Sequence, residues 1–183
     1  MERLLAVPEF QQQLKSTRGK DEAFAAGFLL ARSGMRKLDD ASLERRTAIV
    51  VGALDRMTET DCARIVRGDT TNPHQVAEGF TKALERLDAA TINDWLDLSF
   101  EATVAQLRNA PDAPVTKQAV AEAMRRLQEA LPEPEARRLA RALGSSAETP
   151  DPDVCWAGKT VFRTALTLPP AERSVLVRAF VQN

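Results

Sequence analysis

The sequence predicts an all-α fold: an irregular bundle of about eight short helices, forming a single domain over 1–183 with possible subdomains at 1–110 and 115–183. Three observations predict it. Apolar residues recur at three- and four-residue spacing almost throughout, and no stretch alternates apolar with polar as a half-buried strand does. Ala, Leu, Arg and Glu dominate, and all four are strong helix formers. Proline, glycine and capping residues interrupt the pattern often, which excludes one long coiled coil.

The elements follow in order. A first helix covers about 8–17. A second spans about 20–34, with Phe24, Phe28 and Leu29 expected inward and an end near Gly34. The third runs over about 40–57, where Leu43, Val50, Leu54 and Met57 share one face. Thr58 caps a short fourth helix over 59–67, with Asp61 at its third position and Gly68 closing it. Asn72-Pro73-His74-Gln75 places an Asn cap, a first-position Pro and a third-position Gln before a helix running to about Leu87. Thr91 opens a long helix to about Asn109 that carries Trp95, Leu96, Phe100, Val104 and Leu107. Residues 110–114, "APDAP", break the pattern and mark the possible hinge. Thr116 caps the next helix, where Val120, Met124, Leu127 and Leu131 form a stripe. Another runs from Pro132 to Leu143, closed by Gly144. Ser145 to Asp153 reads as the longest loop, and two last helices follow, separated by Pro169-Pro170.

One internal similarity stands out. "LPEPEARRLARAL" at 131–143 and "LPPAERSVLVRAF" at 168–180 share Leu, Pro, Glu, Leu, Arg and Ala at equal spacing. Each reads as a proline-started helix following another helix. A duplicated helical hairpin gives this pattern, and so does a recurrent local solution to starting a helix.

Composition narrows the function. A net charge of -1 offers no global pull toward nucleic acid or an anionic membrane. Aromatics make up 5% with no tyrosine, which is poor material for base- or sugar-stacking platforms. No apolar run reaches the roughly 18 residues of a membrane span. The start lacks an apolar stretch of signal-peptide length, so a cytoplasmic protein is expected; a periplasmic or secreted one fits if a leader was removed. The alanine- and arginine-rich composition suits a bacterial chain.

The candidate chemistry is weighed residue by residue. "AGKT" at 157–160 resembles the end of a phosphate loop, but Asp153 stands where the first glycine belongs and no strand precedes it. Gly158 is better read as a site of close helix approach, and Lys159 as a solvated side chain. Arg67-Gly68-Asp69 is explained by Gly68 ending a helix. His74 is the only histidine and has no nearby ligand partner, so no cofactor or metal is expected at it. Asp94, Asp97 and Glu101 fall on one helix stripe and could bind a divalent cation or divide acid and base roles. The simpler reading is a solvated face opposite Leu96, Phe100, Val104 and Leu107, with Asp94 in the first turn. Arg137, Arg138 and Arg141, with Arg125 and Arg126 nearby, form the most basic region. Glu122, Glu129, Glu133 and Glu135 are interspersed and favour local ion pairs.

Cys62 and Cys155 are the only cysteines, and neither lies in a CxxC pair. Three readings stay open: a Cys62–Cys155 disulfide, two buried thiols, or a reactive cysteine. A bridge would close a loop worth roughly 4 kcal/mol by the chain-entropy argument. Trp156, beside Cys155, is expected to anchor the last helices in a core or an interface.

These observations lead to a non-enzymatic helical interaction module of immunity, inhibitor or adaptor type, with a protein partner met through a groove or helix face around Trp156, Arg137, Arg138 and Arg141. The alternatives are an all-α enzyme or metal binder using Asp94, Asp97 and Glu101, and an anion, nucleic-acid or lipid-head-group binder using Arg137, Arg138 and Arg141. No cofactor is expected; the oligomeric state is open.

Overall fold

The computed structural model describes residues 2–15, 17, 19–68, 71, 73–144 and 148–182, without the side chains of residues 2, 20, 21, 24, 25, 73 and 74. Among the described residues there are eleven α-helices and no strand: α1 (Glu2–Leu5), α2 (Pro8–Leu14), α3 (Lys20–Gly34), α4 (Asp40–Leu54), α5 (Glu59–Arg67), α6 (Pro73–Leu84), α7 (Ala89–Leu107), α8 (Lys117–Glu129), α9 (Glu133–Gly144), α10 (Asp151–Thr167) and α11 (Pro170–Ala179). A short 3-10 turn, Met35–Lys37, follows α3. The all-α class is as the periodicity predicts; the helices are more numerous than the expected eight.

Local chemistry explains where they begin. Side chains accept hydrogen bonds from backbone N–H groups at four starts: Asp39 from Ser42 (2.8 Å), Thr58 from Asp61 (3.2 Å), Asp88 from Thr91 (2.9 Å) and Thr116 from Ala119 (3.1 Å). Each such cap contributes about 1 kcal/mol. Proline opens α2, α10 and α11, where its missing N–H costs nothing. Gly68 ends α5 at φ 65°, as its glycine identity predicts.

Several expectations need correction. Phe28 and Leu29, expected inward on α3, face outward instead, at 56% and 59% exposure. The inward face of α3 instead carries Gly27, which faces the Phe10 ring, and Gly34. These glycines lie seven residues apart, two turns along one face, while Phe28 and Leu29 are turned about 100° and 200° from it. Gly34 is so close to α7 that a Cβ there would lie 1.8 Å from the Ala102 carbonyl oxygen. The expected inward placement of Phe24 lies outside the described side chains. Asp88, not Thr91, caps α7, so Asp94 falls in its second turn rather than its first. Leu96 is 57% exposed, and the buried face of α7 is Leu98, Ala102 and Thr103. The third helix ends at Leu54, three residues early. The loop before α10 is also shorter than read, because Pro152 is tolerated in the first turn of a helix starting at Asp151. Asn72, the expected cap of α6, lies outside the described residues.

Three apolar clusters hold the helices. Leu127, Leu139, Ala157, Ala165 and Leu176 join α8, α9, α10 and α11. Leu43, Ile49, Leu98, Ala102 and Val177 join α4, α7 and α11. Val50, Leu54, Cys62 and Cys155 join α4, α5 and α10. Thus α10 and α11 enter both the C-terminal cluster and the clusters built around α4. Three of the four stripe residues on α8 are placed as their spacing predicts, with Leu127 fully buried and Met124 and Leu131 packed beside it; Val120 is half-buried outside that cluster, and Ala123 joins it instead.

Candidate functional site

The cysteines form the firmest feature. Cys62 on α5 and Cys155 on α10 are bonded, with Sγ atoms 2.03 Å apart and Cα atoms 5.3 Å apart. Both are buried in the third cluster, at 0% and 2% exposure. The two helices meet closely because Gly158 faces Val66, where a Cβ would lie 2.2 Å from a methyl carbon. Gly158 therefore serves close approach, as the sequence reading holds. "AGKT" lies wholly within α10. Lys159 is more sheltered than expected, 3.8 Å from Asp55.

Arg67, first residue of the Arg-Gly-Asp tripeptide, is engaged rather than displayed. It donates to the Asp151 carboxylate and to the Thr149 carbonyl, each at 2.6 Å. That hydrogen bond holds the Asp151 carboxyl below its ordinary range. Asp69 and the side chain of His74 lie outside the described residues.

The acidic stripe on α7 is matched by arginines. Asp94 accepts from Arg45 at 2.8 Å, Glu101 lies 3.8 Å from the same guanidinium, and Asp97 pairs with Arg3. Arg3 also lies over the Phe100 ring, 4.4 Å from its centre. No group of three or more potential metal-ligating side chains is gathered among the described residues.

One arginine is out of place. The Nε of Arg46 on α4 is sealed from solvent and makes no hydrogen bond with the described residues, although the residue as a whole keeps partial exposure. Burial pushes its guanidinium down to about 10.

The basic region resolves into three different situations. Arg137 pairs with Glu133 on its own helix, at 2.8 Å. Arg138 donates its Nε to Asp153 of α10 at 3.0 Å, and its guanidinium lies 4.1 Å from the centre of the Trp156 ring. Trp156 is half-buried against the C-terminal cluster, so this stack joins α9 to α10. Arg141 is exposed and makes no ion pair or hydrogen bond with the described residues. It lines two open surface grooves. One, of about 330 Å³, is lined by Arg138, Glu148, Thr149, Pro150 and Asp153. The other, of about 590 Å³, is lined by Pro134, Arg137 and Ala140. The remaining basic pair, Arg125 and Arg126, is tied to Glu122 and Glu129 on α8, as the interspersed glutamates predict.

Sequence reasoning missed Asp153 as the partner of Arg138. An acid at the third position of a helix is already accounted for by the positive end of the helix dipole, and only the packing of α9 on α10 brings it to Arg138. It also missed Ala140 and Pro134, which line the second groove beside Arg141. No family model, curated protein or solved structure matches the chain.

Proposed function

We propose that this chain is a non-enzymatic helical interaction protein, of immunity, inhibitor or adaptor type, that meets a protein partner through the outward face of α9. The observation that carries this reading is the contrast within one basic segment. Arg137 and Arg138 have carboxylates of their own, whereas Arg141 is exposed, pairs with none of the described residues and lines two grooves. An arginine beside a held tryptophan is the composition found at energetic centres of interfaces. Trp156 and Arg138 are fixed by their stack and ion pair, which lowers the entropy lost on binding.

The test is capture of a stoichiometric partner on the full, oxidised chain in extracts of its native host. A discrete protein that competes with excess untagged chain is the expected result. Repeated recovery of chaperones alone would overturn the reading.

We also infer that the chain matures where thiols oxidise. The support is the paired, buried Cys62 and Cys155. Protein alkylated and denatured without reductant, from its native source, is expected to show no free thiol. Two free thiols would return the search to cytosolic partners.

A further inference from the structure

The two similar segments occupy corresponding places. Leu131-Pro132 joins α8 to α9, and Leu168-Pro169 joins α10 to α11. The shared leucines, Leu139 and Leu176, are both 0% exposed and both belong to the same cluster. This register makes Arg141 the counterpart of Arg178, Ala140 of Val177, and Arg137 of Ser174.

On α11 that face is covered by α4. Val177 is fully buried beside Leu43 and Ile49 of α4. The Arg178 guanidinium lies 2.6 Å from the Asp40 carboxylate, and the Ser174 hydroxyl donates to the same carboxylate at 2.6 Å. Arg173 lies 2.9 Å from Glu44. Asp40 begins α4 and Glu44 follows one turn later, so the first two turns of a helix bring two carboxylates to the cations of α11.

On α9 the corresponding face is open. Ala140 is exposed, and among the described residues Arg141 has no ion-pair partner and Arg137 pairs with Glu133 of its own helix. Ala140 also replaces the bulkier Val177, which lets another helix axis come nearer.

We propose that this face of α9 docks a helix of a partner protein whose first two turns carry carboxylates one turn apart, as Asp40 and Glu44 stand on α4, with Arg141 in the place of Arg178 and with Arg137, in the place of Ser174, as the second cation, because the counterpart of Arg173 is Ala136. The proposal rests on the interaction reading above and names its partner's chemistry. Arg141 forms the central charge-assisted pair, and the partner's apolar residue covers Ala140 and Pro134.

The probe is a fluorescent peptide of this chain's own residues 38–56, titrated into the full oxidised chain and followed by anisotropy. Saturable binding is expected, weakened by added salt and about tenfold by Arg141→Glu, which corresponds to about 1.4 kcal/mol. Arg141 is exposed, so an unchanged melting curve certifies the variant's fold. A peptide carrying Asp40→Lys and Glu44→Lys is expected to reverse the preference and bind the Arg141→Glu chain more tightly than the original one. Absence of saturable binding, or binding indifferent to both charge changes, overturns the proposal. A native partner that binds the Arg141→Glu chain undiminished also overturns it while leaving the interaction reading standing; failure to capture any partner strikes that reading instead.

Discussion

Helices α9 and α11 start from nearly the same sequence and meet different fates. Each follows a Leu-Pro junction, and each sends one leucine into the same cluster. Their outward faces then diverge. That of α11 is sealed by α4, and Arg178 becomes part of a seam with Asp40. That of α9 meets solvent, and Arg141 forms no ion pair with the described residues. Local sequence sets the helix and its core contact, while chain topology decides whether an arginine serves the fold or remains available to a partner.

The largest expected effect concerns what holds the α10–α11 hairpin to the N-terminal half. The Cys62–Cys155 bridge spans 93 positions, and its reduction is expected to lower unfolding free energy by about 4 kcal/mol. No bridge ties the α8–α9 hairpin, so chemical denaturation with and without reductant isolates this asymmetry. A loss under about 1 kcal/mol would remove the bridge from the account.

Next comes the feature the two helices share. Leu139→Ala and Leu176→Ala each empty a fully buried site and are expected to cost about 3 kcal/mol. Denaturation midpoints that fall for one and hold for the other would break the equivalence of the helices.

The sharper contrast is smaller. Arg178→Glu sets two carboxylates against each other at the α4 seam and is expected to cost about 2 kcal/mol. Arg141→Glu touches no described partner and is expected to stay within about 0.5 kcal/mol. Equal losses in thermal unfolding would erase the distinction between the two faces.

The smallest effect is acid sensitivity at the start of α4. The Asp39 carboxyl is held below its ordinary 3.8, first by the Ser42 N–H and then by the Ser42 hydroxyl. Its contribution to stability is therefore present above the unfolded value and is lost as pH falls through the folded one. An NMR titration should place the Asp39 midpoint below 3.8, with the amides of Ser42 and Leu43 losing exchange protection in the same window. A midpoint at or above that value would contradict the capping account.

Much of the fold was legible because its signals are local. The Thr58 cap, the span of α5 and its Gly68 terminus are fixed by residues within one turn of each other. So is the Thr116 cap of α8. The inward face of α3 was misread because the contact there is made by glycines. Close packing through Gly34 leaves no apolar stripe to see, and the large residues Phe28 and Leu29 drew the reading to the wrong face. The cysteine pairing stayed open because it depends on how α5 meets α10, across most of the chain. The basic residues of α9 were seen as one group. Glu133, one turn from Arg137, is a local partner and could be anticipated. Asp153, which binds Arg138 from the neighbouring helix, could not be assigned before the packing of α9 on α10 was known. The free state of Arg141 follows only after both partners are placed.

The most direct measurement is site-specific photo-crosslinking of the full oxidised chain in its native host extract, with the reactive group at position 140 on α9 and, as the control, at position 125 on the exposed face of α8. The account predicts a discrete adduct at position 140 whose partner segment begins a helix with paired carboxylates, and none of it at position 125. No adduct at 140, the same adduct at both positions, or a partner segment without those carboxylates would contradict it.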